Sequence, residues 1–225
     1  MTEITLEQRV ASVREAIEKA AGGRPVTLVG AAKTKPAQLV ARAIRAGVDA
    51  IGENYVQEYR EKNATGAYDG GKVHIIGHLQ QNKVKYVAGK VDLIQSVDSL
   101  PLLAAISARA AGLQTVQDVL IEVNIGAETA KSGCVPEALD ALLAQASGLP
   151  GIRVRGLMAI PPAECSRAYF EPMYNLFVDN GGKKYDNVSM DFLSMGMSDD
   201  YEDAIRQGAN MVRVGSLIFG PRNYI

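Results

Sequence analysis

Leu6, Val10, Val13 and Ile17 recur three or four positions apart near the start of the chain, the spacing of a helix with one apolar face. Thr5 and Gln8 stand where a capping box would open that helix, and Gly22-Gly23 closes it. A steady alternation follows. Short β-branched runs at 26–31, 48–51, 73–76, 91–95, 118–123, 152–158, 189–193 and 211–214 predict eight strands. Amphipathic stretches at 36–46, 55–63, 81–88, 100–111, 135–146, 168–177 and 200–207 predict the helices between and after them. The stretch at 36–46 opens on a proline, where a first turn tolerates one, and Gly47 lies just past its end. Residues 66–71 and 180–187 read as exposed loops.

Strand–helix alternation of this kind means parallel strands joined by right-handed crossovers. The expected fold is α/β, a single (β/α)8 barrel with an additional N-terminal helix, spanning 1–225 as one domain. An open doubly wound sheet is the alternative. The barrel is preferred because no Gly-x-Gly-x-x-Gly follows the first strand. At 225 residues and 47% hydrophobic content, one large core is within reach. The charge balance is near neutral, 24 Lys+Arg against 25 Asp+Glu, so neither nucleic acid nor an anionic membrane is an expected partner. Cys134 and Cys165 are isolated, which argues against a disulfide framework or structural zinc. With no apolar membrane span and no signal-peptide pattern at the start, a cytoplasmic location is expected.

In such a barrel, function sits at the C-terminal ends of the strands, with phosphate commonly bound after strands seven and eight. Strand seven runs into Ser194-Met195-Gly196-Met197-Ser198, and strand eight into Arg213-Val214-Gly215-Ser216. Each segment sets Gly beside Ser at a strand end, a chemistry that can aim backbone N–H groups and hydroxyls at one anion. Turn and N-cap chemistry accounts for either loop alone; the pair, side by side, points to a monophosphate cup. Lys33 ends an otherwise apolar first strand. At a barrel mouth, desolvation can lower its pKa and make it a nucleophile toward a carbonyl. Lys35, beside the helix start at Pro36, reads as a rim lysine. Arg213 lies among apolar residues and must meet a carboxylate, carbonyls or a ligand. A salt bridge inside the barrel and contact with a cofactor ring nitrogen are both open at this point. His74 and His78 fall on one side of a strand with no pattern completing a metal site, so no metal is expected. His78 reads as rim-lining and His74 has no assigned role. Glu53 is a candidate partner for a nearby Lys or Arg, and Met158, Met195 and Met197 read as packing residues.

Several segments resemble one family. They are Lys33-Thr34-Lys35-Pro36, Gly52-Glu53-Asn54-Tyr55 with Gln57-Glu58, the stretch 76–83, Gly156-Leu157-Met158, the stretch 193–200, and Val212-Arg213-Val214-Gly215. In this order they are similar to the pyridoxal-phosphate homeostasis protein family (YggS/PROSC), from about residue 5 to the C-terminus. The resemblance implies an alanine-racemase-like barrel without the C-terminal β-domain of true racemases, and pyridoxal 5′-phosphate (PLP) as cofactor. It implies Lys33 as the residue forming a Schiff base with PLP, Ser198 with Gly215 and Ser216 at the phosphate, Arg213 facing the pyridine nitrogen, and Asn54 lining the ring pocket. Ser194 and Gly196 join the candidate cofactor-binding set through the strand-seven loop. Ala31-Ala32 precede the lysine where many relatives carry Val-Ser, and the glycine- and lysine-rich stretch 181–187 has no assigned role.

Three functions compete. The first is a PLP carrier or homeostasis factor that binds the cofactor reversibly and hands it to apo-enzymes, with little turnover. The second is an enzyme: a low-rate PLP-dependent amino-acid racemase, or a Schiff-base barrel acting on phosphorylated sugars. The third is a barrel with a vestigial pocket. The carrier ranks first, because a cation facing the ring nitrogen damps carbanion chemistry and the racemase's second base belongs to the missing domain. A monomer is the expected state.

Overall fold

The computed structural model describes residues 4–221. Helix α1 (Leu6–Ala21) is opened by the expected capping box. Thr5 Oγ1 accepts from the Gln8 N–H at 3.2 Å, and Gln8 Oε1 accepts from the Thr5 N–H at 2.9 Å. Its apolar stripe of Leu6, Val10, Val13, Ile17 and Ala21 is buried, and the helix packs against later helices of the outer layer.

Eight parallel strands follow: β1 (Thr27–Ala31), β2 (Ala50–Glu53), β3 (Lys72–Ile75), β4 (Leu93–Val97), β5 (Gln117–Glu122), β6 (Ile152–Met158), β7 (Val188–Ser194) and β8 (Met211–Val214). They pair in sequence order, and β1 pairs with β8 to close the barrel. The connecting helices are α2 (Ala37–Arg45), α3 (Val56–Asn63), α4 (Val84–Val87), α5 (Leu100–Ala111), α6 (Leu139–Ala146), α7 (Arg167–Gly181) and α8 (Tyr201–Arg206), with a final turn α9 (Ser216–Phe219). This is the expected (β/α)8 barrel with its added N-terminal helix. Among the described residues no helix is long and apolar enough to cross a membrane.

Strand alternation divides the core in two. Val29, Ala50, Ile76, Leu93, Leu120, Met158 and Met211 form the inner cluster, while Leu28, Ile51, Ile75, Ile94, Ile121 and Val212 face the helices. Because Met211 points inward, so does Arg213, two residues on.

The differences from the sequence pattern have local causes. Strands β2 and β4 begin two residues later than the β-branched runs suggest. Val48 and Val91 are buried ahead of the strands, each followed by an aspartate that caps a neighbouring strand: Asp49 Oδ2 accepts from Leu28 N–H and Asp92 Oδ2 from Val73 N–H. Residues 66–71 are a turn that exposes Gly66, Asp69 and Gly70 as expected but buries Ala67 and Tyr68 between them. In the expected 180–187 loop, α7 runs on to Gly181 and buries Asn180, while 181–184 and Asp186 are exposed. The rest of that stretch is a clamp. Asn187 Nδ2 donates to the carbonyls of Ala146, Leu149 and Ile152, and Lys183 pairs with Asp140 at 2.6 Å.

Candidate cofactor site

Lys33 follows β1 at the upper, C-terminal mouth of the barrel and is half-buried. The turn that carries it is held on both sides. Ala32 N–H donates to Gly52 O at 2.9 Å, and the buried Lys62 ammonium donates to Ala32 O at 3.1 Å. On the other side Thr34, in the left-handed region at φ 63°, donates its N–H to Glu58 Oε2 at 2.9 Å. A non-glycine residue holds that conformation only where its surroundings enforce it. Lys62 is in turn bidentate to Glu53, at 2.8 and 3.0 Å, and touches Glu58 at 3.2 Å. Tyr68 Oη donates to Glu53 Oε1 at 2.9 Å. Glu53 is wholly buried, and burial raises its pKa against the opposing pull of Lys62 and Tyr68. The partner expected for Glu53 is therefore Lys62, and the pair sits directly behind the Lys33 turn.

Lys33 opens on a cavity of about 530 Å³. Ala31, Lys35, Asn54, Met197, Ser198, Asp199, Arg213, Gly215 and Ser216 line it with Lys33. Six of the eight sequence-derived candidates thus meet in one space. Ser198 Oγ accepts from Gly215 N–H at 3.2 Å, tying the β7 and β8 loops together and leaving the serine's own proton free for an anion. Asn54 is set by a close approach, since a Cβ on Gly77 would lie 2.4 Å from Asn54 O. The remaining two candidates stand outside the wall. Ser194 is fully buried beneath it, and Gly196 packs on α8, where a Cβ would come within 2.6 Å of Ala204 Cβ. Lys35 and Met197, read as rim and packing residues, line the cavity instead; Lys35 Nζ donates to Pro221 O at 3.1 Å.

Arg213 is 3% exposed. Nη1 donates to Ser194 Oγ at 2.6 Å and Nη2 to Ala159 O at 2.8 Å, so its partners are a hydroxyl and a carbonyl rather than a carboxylate. Burial pulls its pKa down to about 10 against the pull of Glu122 and Asp200, which leaves it a cation at neutral pH. A buried cation without an ion pair among the described residues, in the wall of a cavity, favours an acceptor or anion in that cavity. Glu122, which the sequence reading did not single out, is buried near it; burial and then the charge of Asp98 push its pKa up to about 7. Its signal was the same as Arg213's, a charged residue at the end of an apolar strand. His78 sits on the rim, 3.1 Å from Ser132 Oγ, while His74 is buried inside the barrel.

The family model of the alanine racemase N-terminal domain matches residues 5–223. A pyridoxal phosphate homeostasis protein of Aquifex aeolicus is 43% identical over 226 residues, covering 96% of this chain and 98% of that one. The chain belongs to the pyridoxal phosphate homeostasis protein family. A further relative of that name, from Escherichia coli K12, is 40% identical over 97% of both chains. Among solved structures, PipY of Synechococcus elongatus PCC7942 without PLP superposes with a TM-score of 0.86 at 30% identity. It covers 96% of this chain and 100% of its own. PipY with PLP bound gives 0.80 at 29% identity, with the same coverage. The homeostasis-protein family and the barrel read from the strand pattern therefore agree.

Proposed function

We propose that this protein binds PLP in the upper cavity, with Lys33 holding it as a Schiff base, and serves PLP homeostasis by holding and releasing the cofactor. The observation that carries this reading is one cavity joining a half-buried lysine, a buried arginine without an ion pair among the described residues, and a cup of hydroxyl and glycine. PLP answers each of them, with an aldehyde for the amine, an acceptor nitrogen for the guanidinium and a phosphate for the cup.

When bound, the cofactor supplies a carbonyl that captures amines reversibly. The chain's residues do the rest. Lys62 and Glu58 fix the Lys33 turn, Ser198 and the Gly215 loop receive the phosphate, and Asn54 borders the ring. Arg213, a cation at neutral pH, opposes protonation of the ring nitrogen and so keeps carbanion chemistry weak, as befits a holder more than a catalyst.

The test is a visible spectrum of the protein with PLP, then borohydride reduction and peptide mapping. A yellow band fixed onto the Lys33 peptide is the expected result; a protein that stays colourless with PLP overturns the reading. Replacing both Ser198 and Ser216 with alanine is expected to weaken PLP by about tenfold or more, the value of hydrogen bonds to a charged group. Pyridoxal, which lacks the phosphate, should weaken far less, and equal losses for both ligands would remove the cup from the argument.

A further inference from the structure

Beneath the cavity, four buried polar side chains form a continuous hydrogen-bonded path across the inside of the barrel. Arg213 on β8 donates through Nη1 to Ser194 Oγ on β7 at 2.6 Å. Ser194 Oγ donates to Gln95 Oε1 on β4 at 2.7 Å, and Gln95 Nε2 lies 2.9 Å from His74 Nδ1 on β3. All four residues are at most 5% exposed. His74 also lines a second cavity, of about 420 Å³, at the opposite end of the barrel.

The arginine end fixes the first bond, and the Ser194–Gln95 contact fixes the rest. A guanidinium can only donate, so the Ser194 oxygen accepts from it, and the Ser194 proton points to Gln95 Oε1. That fixes the amide, with its NH2 turned toward His74 and toward Met211 Sδ at 3.3 Å. An NH2 can only donate, so His74 Nδ1 must be bare and Nε2 must carry the proton. A protonated His74 would donate from both nitrogens and force the amide to turn over. Ser194 would then accept from both Gln95 and Arg213, and its own proton would lose Gln95 Oε1 as acceptor, loosening the hydroxyl that anchors the arginine.

We propose that Ser194, Gln95 and uncharged His74 are positioning residues for Arg213, aiming its guanidinium at the upper cavity by a one-way chain of donors. What Arg213 meets there rests on the PLP reading; the chain itself does not. The surroundings favour the neutral ring. Burial, with the Lys72 charge on the same strand, lowers the His74 pKa to about 4. The acids around the lower cavity are already engaged: Asp118 by Arg153 and Arg155, Asp49 by Arg14 and Leu28 N–H, and Asp92 by Val73 N–H.

The test has two arms. In the first, histidine side-chain nitrogen NMR on the protein without PLP should show His74 neutral, with its proton on Nε2, at pH 7. Gln95→Glu places a carboxylate that accepts from both sides, and should raise the His74 titration midpoint by more than about one unit. An Nδ1–H tautomer in the wild type, or an unmoved midpoint in a folded Gln95→Glu, overturns the proposal. In the second arm, Gln95→Leu and Ser194→Ala loaded with PLP should shift the cofactor's absorption band. Leu120→Ala, a cavity in the same inner cluster, should lower Tm and leave the band in place. Wild-type spectra from both relay variants would show that Arg213 is aimed without the chain. If the wild type takes up no PLP, the cofactor reading fails and the NMR arm alone decides the relay.

Discussion

Replacing Lys33 with alanine is expected to abolish the visible band of the PLP-loaded protein and the borohydride-fixed label, and to leave the fold in place. The two halves of this result have separate causes. The Lys33 ammonium lies over the Tyr55 ring at 5.2 Å from its centroid, and the turn beneath it is held by the backbone of Ala32 and Thr34. Losing an exposed cation–π contact costs about 0.5–1 kcal/mol. For a chain of this size that is a fall in Tm of roughly 1–4 °C. The proposed covalent link, by contrast, has no substitute in alanine. The Ser198–Gly215 cup and Arg213 remain, so the variant should still bind PLP noncovalently, with a spectrum close to that of the free aldehyde. Absorption spectroscopy, reductive labelling and a thermal melt on one preparation check all three statements. A band that persists and maps to Lys35, which shares the cavity wall, would move the attachment point and overturn the assignment.

The barrel was legible because its strands are buried on both faces and therefore read as short apolar runs between glycines and helices. Boundaries were less so. In Val48-Asp49 and Val91-Asp92 the apolar residue looks like the first of a strand, but the aspartate after it is spent capping the neighbouring one. The site was legible where a strand end could be located, which placed Lys33, Ser198, Arg213 and Gly215 on one rim. That reasoning cannot separate a residue within a strand from one in its loop, which is why Ser194 was grouped with Ser198 although it sits below the cavity wall. Lys62 was invisible for another reason. It lies in a helix rich in charged residues, and nothing in the composition marks it as buried while Arg60 is exposed. The usable signal was its partner, Glu53, a carboxylate in an apolar strand. Gln95 and His74 gave the same kind of signal, polar residues at inward positions, but only the closed barrel shows that they touch.

Removing one partner of the Glu53–Lys62 pair should cost more stability than removing both. Glu53→Ala leaves a buried ammonium with Ala32 O and Glu58 as its remaining partners. Breaking a buried pair this way costs about 3–5 kcal/mol, whereas replacing both members by well-packed apolar residues is often close to neutral. The expected order of Tm is therefore wild type, then Glu53→Leu with Lys62→Met, then Glu53→Ala lowest by roughly 6–20 °C. Thermal melts of the variants measure it, and denaturant melts give the matching free energies. The same variants carry a functional consequence, because Lys62 holds the carbonyl on one side of Lys33 while Glu58, also its partner, holds the N–H on the other. In Glu53→Ala, capture of PLP by Lys33 should slow even at temperatures where the variant is folded. The double variant, lacking the Lys62 bond to Ala32, should share that slowing despite its better stability. A Glu53→Ala loss below about 1 kcal/mol, the size of an exposed pair, would mean that water reaches Lys62. The Lys33 turn would then be held chiefly by Ala32 N–H on Gly52 O and by Glu58.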